Sequence, residues 1–352
     1  MNKYRKLIGQ AHLLLLVPLI RLFVEKFNYF EIKKSNHKFN EPVLIIDMRI
    51  IPYSFDILIF LYRAKVELEN FSVVVFFDSK YLHRGDQKWI NQNNFINVLF
   101  NIVIDSLKIF RVKNFQVISS EEELSNIEKN KNIFFTSKEI LNQNYLTRSK
   151  HYSLTWYIRN YQKVDLFKEP FWEKIFNDWK LKNNIKKYIT IQIRNKEEDG
   201  HNRLKRVEES VIFQHAINAC KKLDYDIVIM PDFYNPYPEI SNERVYVFNV
   251  GPASLASRLP VYENSMANIS IDQLGPFFIA FLVDKPSLII HPINENFAAE
   301  ELKGLQSVYF KKGENYQLNK KYDFNNNNFL ITVNSSKPNS EVINSAISSL
   351  LP

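Results

Sequence analysis

The chain has 352 residues, more than the ~250 to 300 at which a single hydrophobic core stops growing, so its length predicts two domains. Hydrophobic residues make up 45% and aromatic residues 14%, which excludes global disorder, and the single cysteine, Cys220, excludes an internal disulfide framework and a cysteine-based structural zinc site. A net charge of +8 points to anionic partners such as phosphates, nucleotides or lipid headgroups.

The N-terminus reads MNKYRKLIGQAHLLLLVPLIRLFVEKF. Its apolar run, Leu13 to Ile20, is closed by Arg21 and falls short of the ~20 residues that cross a bilayer. No small-residue cleavage site follows, so a cleaved secretory signal is not expected. Two readings stay open: a helix packed on the body, or an interfacial helix with Lys3, Arg5, Lys6 and Arg21 toward lipid phosphates.

From residue 43 strands and helices alternate. EPVLIIDMRI reads as a buried strand, and YSFDILIFLYRAKVELEN as a helix with Phe55, Ile59, Tyr62 and Val66 at helical spacing. FSVVVFFD is a second strand, NNFINVLFNIVIDSLKIF a helix, and FQVIS and NIFFTS two more strands. Residues 151–186 interrupt the order with a helix over FKEPFWEKIFNDWKLKNN, and are expected to connect two domains.

Alternation then resumes. YITIQIR is a strand, VEESVIFQHAINACKKL a helix that buries Cys220, YDIVIMPD and RVYVFNV strands, and PASLASRLPVYENS a helix broken by Pro260. MANISID, the helix QLGPFFIAFLV and the strand KPSLIIHP follow. The Asn run in DFNNNNFLITVNSS is expected to be a loop, and SEVINSAISSLL a final amphipathic helix. The expected organisation is a lead-in (1–42), an N-terminal Rossmann-like domain on the acceptor side (43–150), the connecting segment (151–186), a C-terminal Rossmann-like domain on the donor side (187–335) and the final helix (336–352). The fold class is therefore α/β, two Rossmann-like domains facing a cleft.

Ligands of open α/β sheets bind beyond the carboxyl ends of the strands. That filter selects Asp47 and Arg49 after VLII, Asp78 after VVVFF, Arg194 and Asn195 after ITIQI, Asp232 after IVIMP, Asp272 after ISI and His291 after SLII. Arg194 ranks first, because a guanidinium at a strand end forks onto a diphosphate or carboxylate. Arg203, Lys205 and Arg206 precede the next helix and can add to its positive end; taken singly, such residues are more often solvated. Asp272-Gln273-Leu274-Gly275-Pro276 opens the QLGPFFIAFLV helix, where Gly275 admits close backbone approach and Pro276 suits a first turn; ordinary helix-start chemistry explains the same residues.

Asp56, in the first turn after the first strand with Ser54 as N-cap, is placed to act as a general base, and Asp47 competes for that role; a dipole-favoured acid is the alternative for Asp56. Neither GxGxxG after a strand nor GxxxxGK, HExxH or GxSxG occurs. Asp224-Tyr225-Asp226 spells DxD, but it precedes its strand and so lies at the wrong end for the cleft. No metal is expected.

With those residues in place, the chain resembles bacterial GT-B-type glycosyltransferases of surface-polysaccharide and lipopolysaccharide synthesis. Asp272, Gly275, Pro276, Ala280 and Pro286 in SIDQLGPFFIAFLVDKPSLII are similar to the donor-facing helix of heptosyltransferase-like enzymes, with Phe278 where those often carry His and Asp272 one position further from the Gly. ITIQIRN with its basic loop looks like the strand-Arg element that contacts the donor diphosphate in fucosyltransferase-like enzymes. The resemblance implies a nucleotide-sugar donor as co-substrate with no other cofactor, and a glycan or lipid-linked acceptor. It also implies a carboxylate base from Asp47 or Asp56, no metal, and a cytoplasmic enzyme that meets the anionic inner face of the inner membrane. A nucleotide-sugar epimerase using His291 and Glu295, or a non-catalytic glycan-binding protein, keeps the same architecture. Nucleic acid is not expected, because the aromatics lie within strands and helices and are not interleaved with Lys and Arg.

Overall fold

The computed structural model describes residues 40–47, 56–76, 99–129, 132–136, 161–193, 211–231, 243–251, 254–271, 277–293, 317–325 and 327–351. The N-terminal apolar run lies outside them.

The first unit is a parallel sheet of β1 (Val43–Asp47), β2 (Ser72–Phe76), β3 (Asn114–Ile118) and β4 (Ile133–Thr136), in the order β3-β2-β1-β4. β1 and β2 are buried at every position, as continuous apolar runs covered on both faces should be. Helix α1 (Asp56–Glu67) returns from β1 to β2, a π-helical stretch (Leu99–Ile104) runs into the short α2 (Asp105–Ile109), and α3 (Glu121–Glu128) follows β3. Ser120 caps α3 by accepting from the Glu123 amide at 3.4 Å.

The second unit is a seven-stranded sheet in the order β10-β11-β9-β8-β5-β6-β7. Its strands are β5 (Tyr188–Gln192), β6 (Asp226–Met230), β7 (Val245–Val247), β8 (Ala267–Ile271), β9 (Ser287–Ile293), β10 (Lys321–Asn325) and β11 (Asn328–Asn334). All neighbours are parallel except β10 and β11, which form an antiparallel hairpin. Helices α4 (Pro170–Lys182), α5 (Val211–Lys222), α6 (Leu255–Glu263), α7 (Phe278–Leu282) and α8 (Ser340–Ser348) cover the sheet. Ile189, Ile191 and Ile269 pack with Ile212, Ala216 and Cys220 of α5 and Ile343 and Ile347 of α8. Cys220 is fully buried, and burial pushes its thiol up to about 12.

Three sequence expectations change. The Asn run is not simply a loop, because Asn325 and Asn328 belong to paired strands that extend the sheet. Pro260 does not break its helix: α6 runs through it, and Asn264 closes the end by donating from both its amide N and its Nδ2 to the Pro260 carbonyl at 3.2 and 2.8 Å. His291 lies within β9 opposite Thr332, because that strand runs on to Ile293.

The two units share one hydrophobic core. Residues Ile57 to Tyr62 of α1 are all buried, against both the first sheet and the second unit, so α1 lacks the one-sided pattern of a surface helix. The Tyr62 ring meets Phe278 of α7 edge-on at 6.2 Å, and the Tyr62 hydroxyl donates to the Gln162 carbonyl at 2.9 Å. In α4, Phe176 is fully buried among Trp179, Tyr188 and Phe248. With only seven glycines in the sequence, the chain leaves α4, α5 and α7 through left-handed Asn184, Asp224 and Asp284, residue types that tolerate that region better than most.

Candidate functional site at the two switch points

In each sheet the chain lays strands to one side of its first strand and then crosses to the other. In the first sheet β2 and β3 lie on one side of β1 and β4 on the other; in the second, β6 and β7 lie on one side of β5 and β8 on the other. The loops leaving such a pair diverge and open a crevice. The crevices therefore lie at the carboxyl ends of β1 and β4, and of β5 and β8.

Asp47 is the last residue of β1, opposite Phe76 of β2, and is fully buried. Asp56 is the first residue of α1. Described residues end at Ile193 after β5 and at Ile271 after β8, next in sequence to Arg194 and Asp272. Arg194, Asn195, Arg203, Lys205, Arg206, Asp232, Asp272, Gly275 and Pro276 all lie outside the described residues, as do Arg49, Ser54, Asp78 and Glu295.

Helices α1 and α7, which follow β1 and β8 in the chain, touch each other. Tyr62 lies six residues, about 9 Å along the axis, from Asp56, and its ring touches Phe278, the first residue of the helix that follows β8.

Beneath the strand ends of the second sheet is a polar layer that sequence reasoning missed. Thr190 pairs across from Asn268, and Gln192 from Ser270, and all four are fully buried. Thr190 Oγ1 donates to Asn268 Oδ1 at 2.6 Å, Ser265 Oγ donates to the same oxygen at 2.9 Å, and Asn268 Nδ2 donates to the Tyr262 carbonyl at 3.3 Å. The Tyr262 hydroxyl donates to Gln192 Oε1.

Arg258 of α6, also fully buried, donates to the Pro231 carbonyl at 2.8 Å, the Gly251 carbonyl at 3.2 Å and Gln192 Oε1 at 3.4 Å. One guanidinium thus ties together the segments that follow β6 and β7 and the end of β5. The signal was present in the sequence as Thr and Gln, then Asn and Ser, alternating with Ile in YITIQ and ANISI, and as an Arg inside LASRLPVY.

The layer continues to the junction of the two units. Ser257 Oγ donates to the Ser254 carbonyl at 2.6 Å. Ser254 caps α6 by accepting from the Ala256 amide at 3.1 Å, and its hydroxyl donates to Asp105 of α2. Asp105 also accepts from the Ala256 amide at 3.4 Å. Desolvation raises this carboxyl to about 6, and Glu169 adds to the rise, while Ser254, Lys108 and the Ala256 amide pull the other way.

The DxD sequence is structural. Arg244 Nε donates to Asp226 at 3.0 Å, and its terminal nitrogens donate to the Asp224 carboxylate and, at 2.7 Å, to the Asp224 carbonyl. This clamp sits at the amino end of β6, away from the crevice. Among the described residues no cluster of three or more His, Cys, Asp or Glu is placed to hold a metal ion, and no helix is long and apolar enough to cross a membrane.

No protein-family model and no curated protein matches this sequence. Among solved structures the chain is similar to a family 9 glycosyl transferase from Veillonella parvula, at 11% identity and a TM-score of 0.38, over 88% of this chain and 97% of that one. It is also similar to the glycotransferase of kitacinnamycin, at 11% identity and a TM-score of 0.31 over 99% of this chain and 75% of that one. The wall teichoic acid polymerase TagF gives 11% identity and a TM-score of 0.33 over 88% and 83%.

Proposed function

We propose that the chain is a glycosyltransferase that moves a sugar from a nucleotide-sugar donor to a glycan or lipid-linked acceptor in cell-surface polysaccharide synthesis. The observation that carries this reading is positional. Arg194 and Asp272 come within two residues of the ends of the two strands that flank the switch point of the second sheet, and Asp47 ends a strand that flanks the switch point of the first.

In this reading Arg194, with Asn195 and the basic residues Arg203, Lys205 and Arg206, takes the donor diphosphate. Asp232, Asp272, Gly275 and Pro276 complete the donor side. Asp56 or Asp47 removes the proton of the acceptor hydroxyl as its oxygen attacks the anomeric carbon. The bond from that carbon to the diphosphate breaks, and the electron pair leaves with the phosphate oxygen, where Arg194 meets the growing charge. Fixed cations make a metal unnecessary for that step. The positive net charge and the apolar N-terminal run suit work at the cytoplasmic face of an anionic membrane.

Calorimetry against a panel of nucleotide sugars tests the reading. The parent protein is expected to bind at least one, Arg194→Ala to lose that binding, and Asp56→Asn or Asp47→Asn to keep binding while losing transfer. Absence of any donor binding by the parent, or an unaltered affinity in Arg194→Ala, overturns the donor site. An isomerised sugar formed without acceptor would make the chain an epimerase.

A further inference from the structure

We infer that the outer face of α4 is a docking surface for a bilayer containing anionic lipids. This deepens the membrane part of the reading above, and it is tested without donor or turnover, so the two can fail separately.

Helix α4 has two faces of different character. Its inner face carries Trp172, Ile175, Phe176 and Trp179, which pack into the shared core. Its outer face carries Phe171, Lys174, Asp178, Leu181 and Lys182, spaced at three- and four-residue steps that keep them on one side of a helix. Phe171 is 59% exposed and Leu181 75% exposed, and Phe167, just before the helix, is 40% exposed. Together they are three of the four large hydrophobic residues exposed among the described residues. An aqueous surface gives such side chains no return, whereas a bilayer interface accepts them.

The charges around them choose the occupant. Lys174 and Lys182 flank the apolar residues on the helix, and exposed Lys186 and Lys187 follow it. Glu173 and Asp178 are the exposed acids of the helix. The neighbouring acids Asp165 and Glu263 are engaged, by Arg111 at 3.1 Å and by Lys168. The surplus is cationic. A second copy docked through the same face would bring two cationic surfaces together, whereas anionic headgroups complement them.

The arrangement is that of an in-plane interfacial contact: aromatic and aliphatic side chains at the level of the acyl boundary, with lysines reaching phosphates. Each lysine so placed is expected to strengthen binding roughly fivefold at physiological salt.

Vesicle flotation of the full chain reads this directly, with vesicles of phosphatidylcholine alone and with phosphatidylglycerol added. Binding is expected to need the anionic lipid and to weaken with salt. The variant Phe171→Ser/Leu181→Ser is expected to lose tenfold or more in affinity, and Lys182→Glu/Lys186→Glu/Lys187→Glu a hundredfold or more. The helix should stay folded in both, because the substituted side chains are exposed, and circular dichroism checks it. A parallel Lys3→Glu/Arg5→Glu/Lys6→Glu variant separates this surface from the N-terminal run. If the α4 variants float like the parent, whether because the N-terminus carries all binding or because neither binds, the inference is overturned. It is equally overturned if Phe171→Ser/Leu181→Ser converts a dimer to a monomer in light scattering.

Discussion

Replacing Asp105 by asparagine is expected to remove a pH dependence that the parent chain carries. The carboxyl is buried at the junction of the two units, accepting from the Ser254 hydroxyl and the Ala256 amide, and desolvation lifts it from 3.8 to about 6. The folded chain therefore holds this proton more tightly than the unfolded one. Between the two values the folded state binds more protons, so its stability falls as pH rises; the contribution is full below pH ~4 and lost above pH ~6. The whole shift corresponds to about 3 kcal/mol, of which about 1.5 kcal/mol is lost between pH 5 and 7.5.

An amide at this position keeps an oxygen for the same two donors and has no proton to lose. Urea unfolding of the parent and of Asp105→Asn at a series of pH values isolates the effect, since all other titrating groups cancel in the difference. The variant should gain about 1.5 kcal/mol on the parent from pH 5 to 7.5. Parallel stability profiles, or a parent that gains on the variant as pH rises, would refute the assignment of a burial-raised carboxyl to this position.

Two further substitutions test the polar layer and the DxD clamp. In Gly251→Ala the new methyl lands on the buried Met230 thioether, beside a carbonyl that holds Arg258 and Ser257. A loss of about 1 to 3 kcal/mol in urea unfolding is expected, with part of it recovered in Gly251→Ala/Met230→Ala; an unchanged midpoint in the single variant would show that the site has room. Arg244→Ala opens an exposed ion-pair clamp and should cost under about 1 kcal/mol. It should leave nucleotide-sugar binding and its response to divalent ions untouched; a loss of binding would return the DxD carboxylates to the functional site.

What was legible in the sequence follows from the kind of force that makes each feature. The alternation of strands and helices could be read because VLIID, SVVVF and DIVIM are short buried runs, and burial is written in composition. The β10–β11 hairpin could not, because Lys321, Asp323 and Asn325 mark an edge strand with the same polar residues that mark a loop. Pro260 was misread because proline disfavours helix interiors on average, while the packing of Leu259, Val261 and Tyr262 holds α6 together through it. The pairing of Asp105 with Ser254 joins residues 149 apart and leaves no local trace.

The buried polar layer lies directly beneath the strand ends from which ligand contacts are proposed. A parallel sheet needs only apolar side chains between strand and helix, yet Thr190, Gln192, Asn268 and Ser270 occupy such positions beside the switch point, with Arg258, Tyr262 and Ser265 facing them from α6 and the turn after it. Apolar contacts would hold α6 at least as strongly but without direction, since dispersion and burial tolerate sliding and rotation. Hydrogen bonds from Arg258 to the Pro231 and Gly251 carbonyls and to Gln192 fix where three chain segments leave the sheet. Precision of that kind matters little to a scaffold and a great deal to a crevice whose ligand contacts come from loops. The polar residues inside these two strands are thus part of the same design as Arg194 and Asp272 just beyond them: one set holds the strand ends in place, and the other is proposed to meet the ligand.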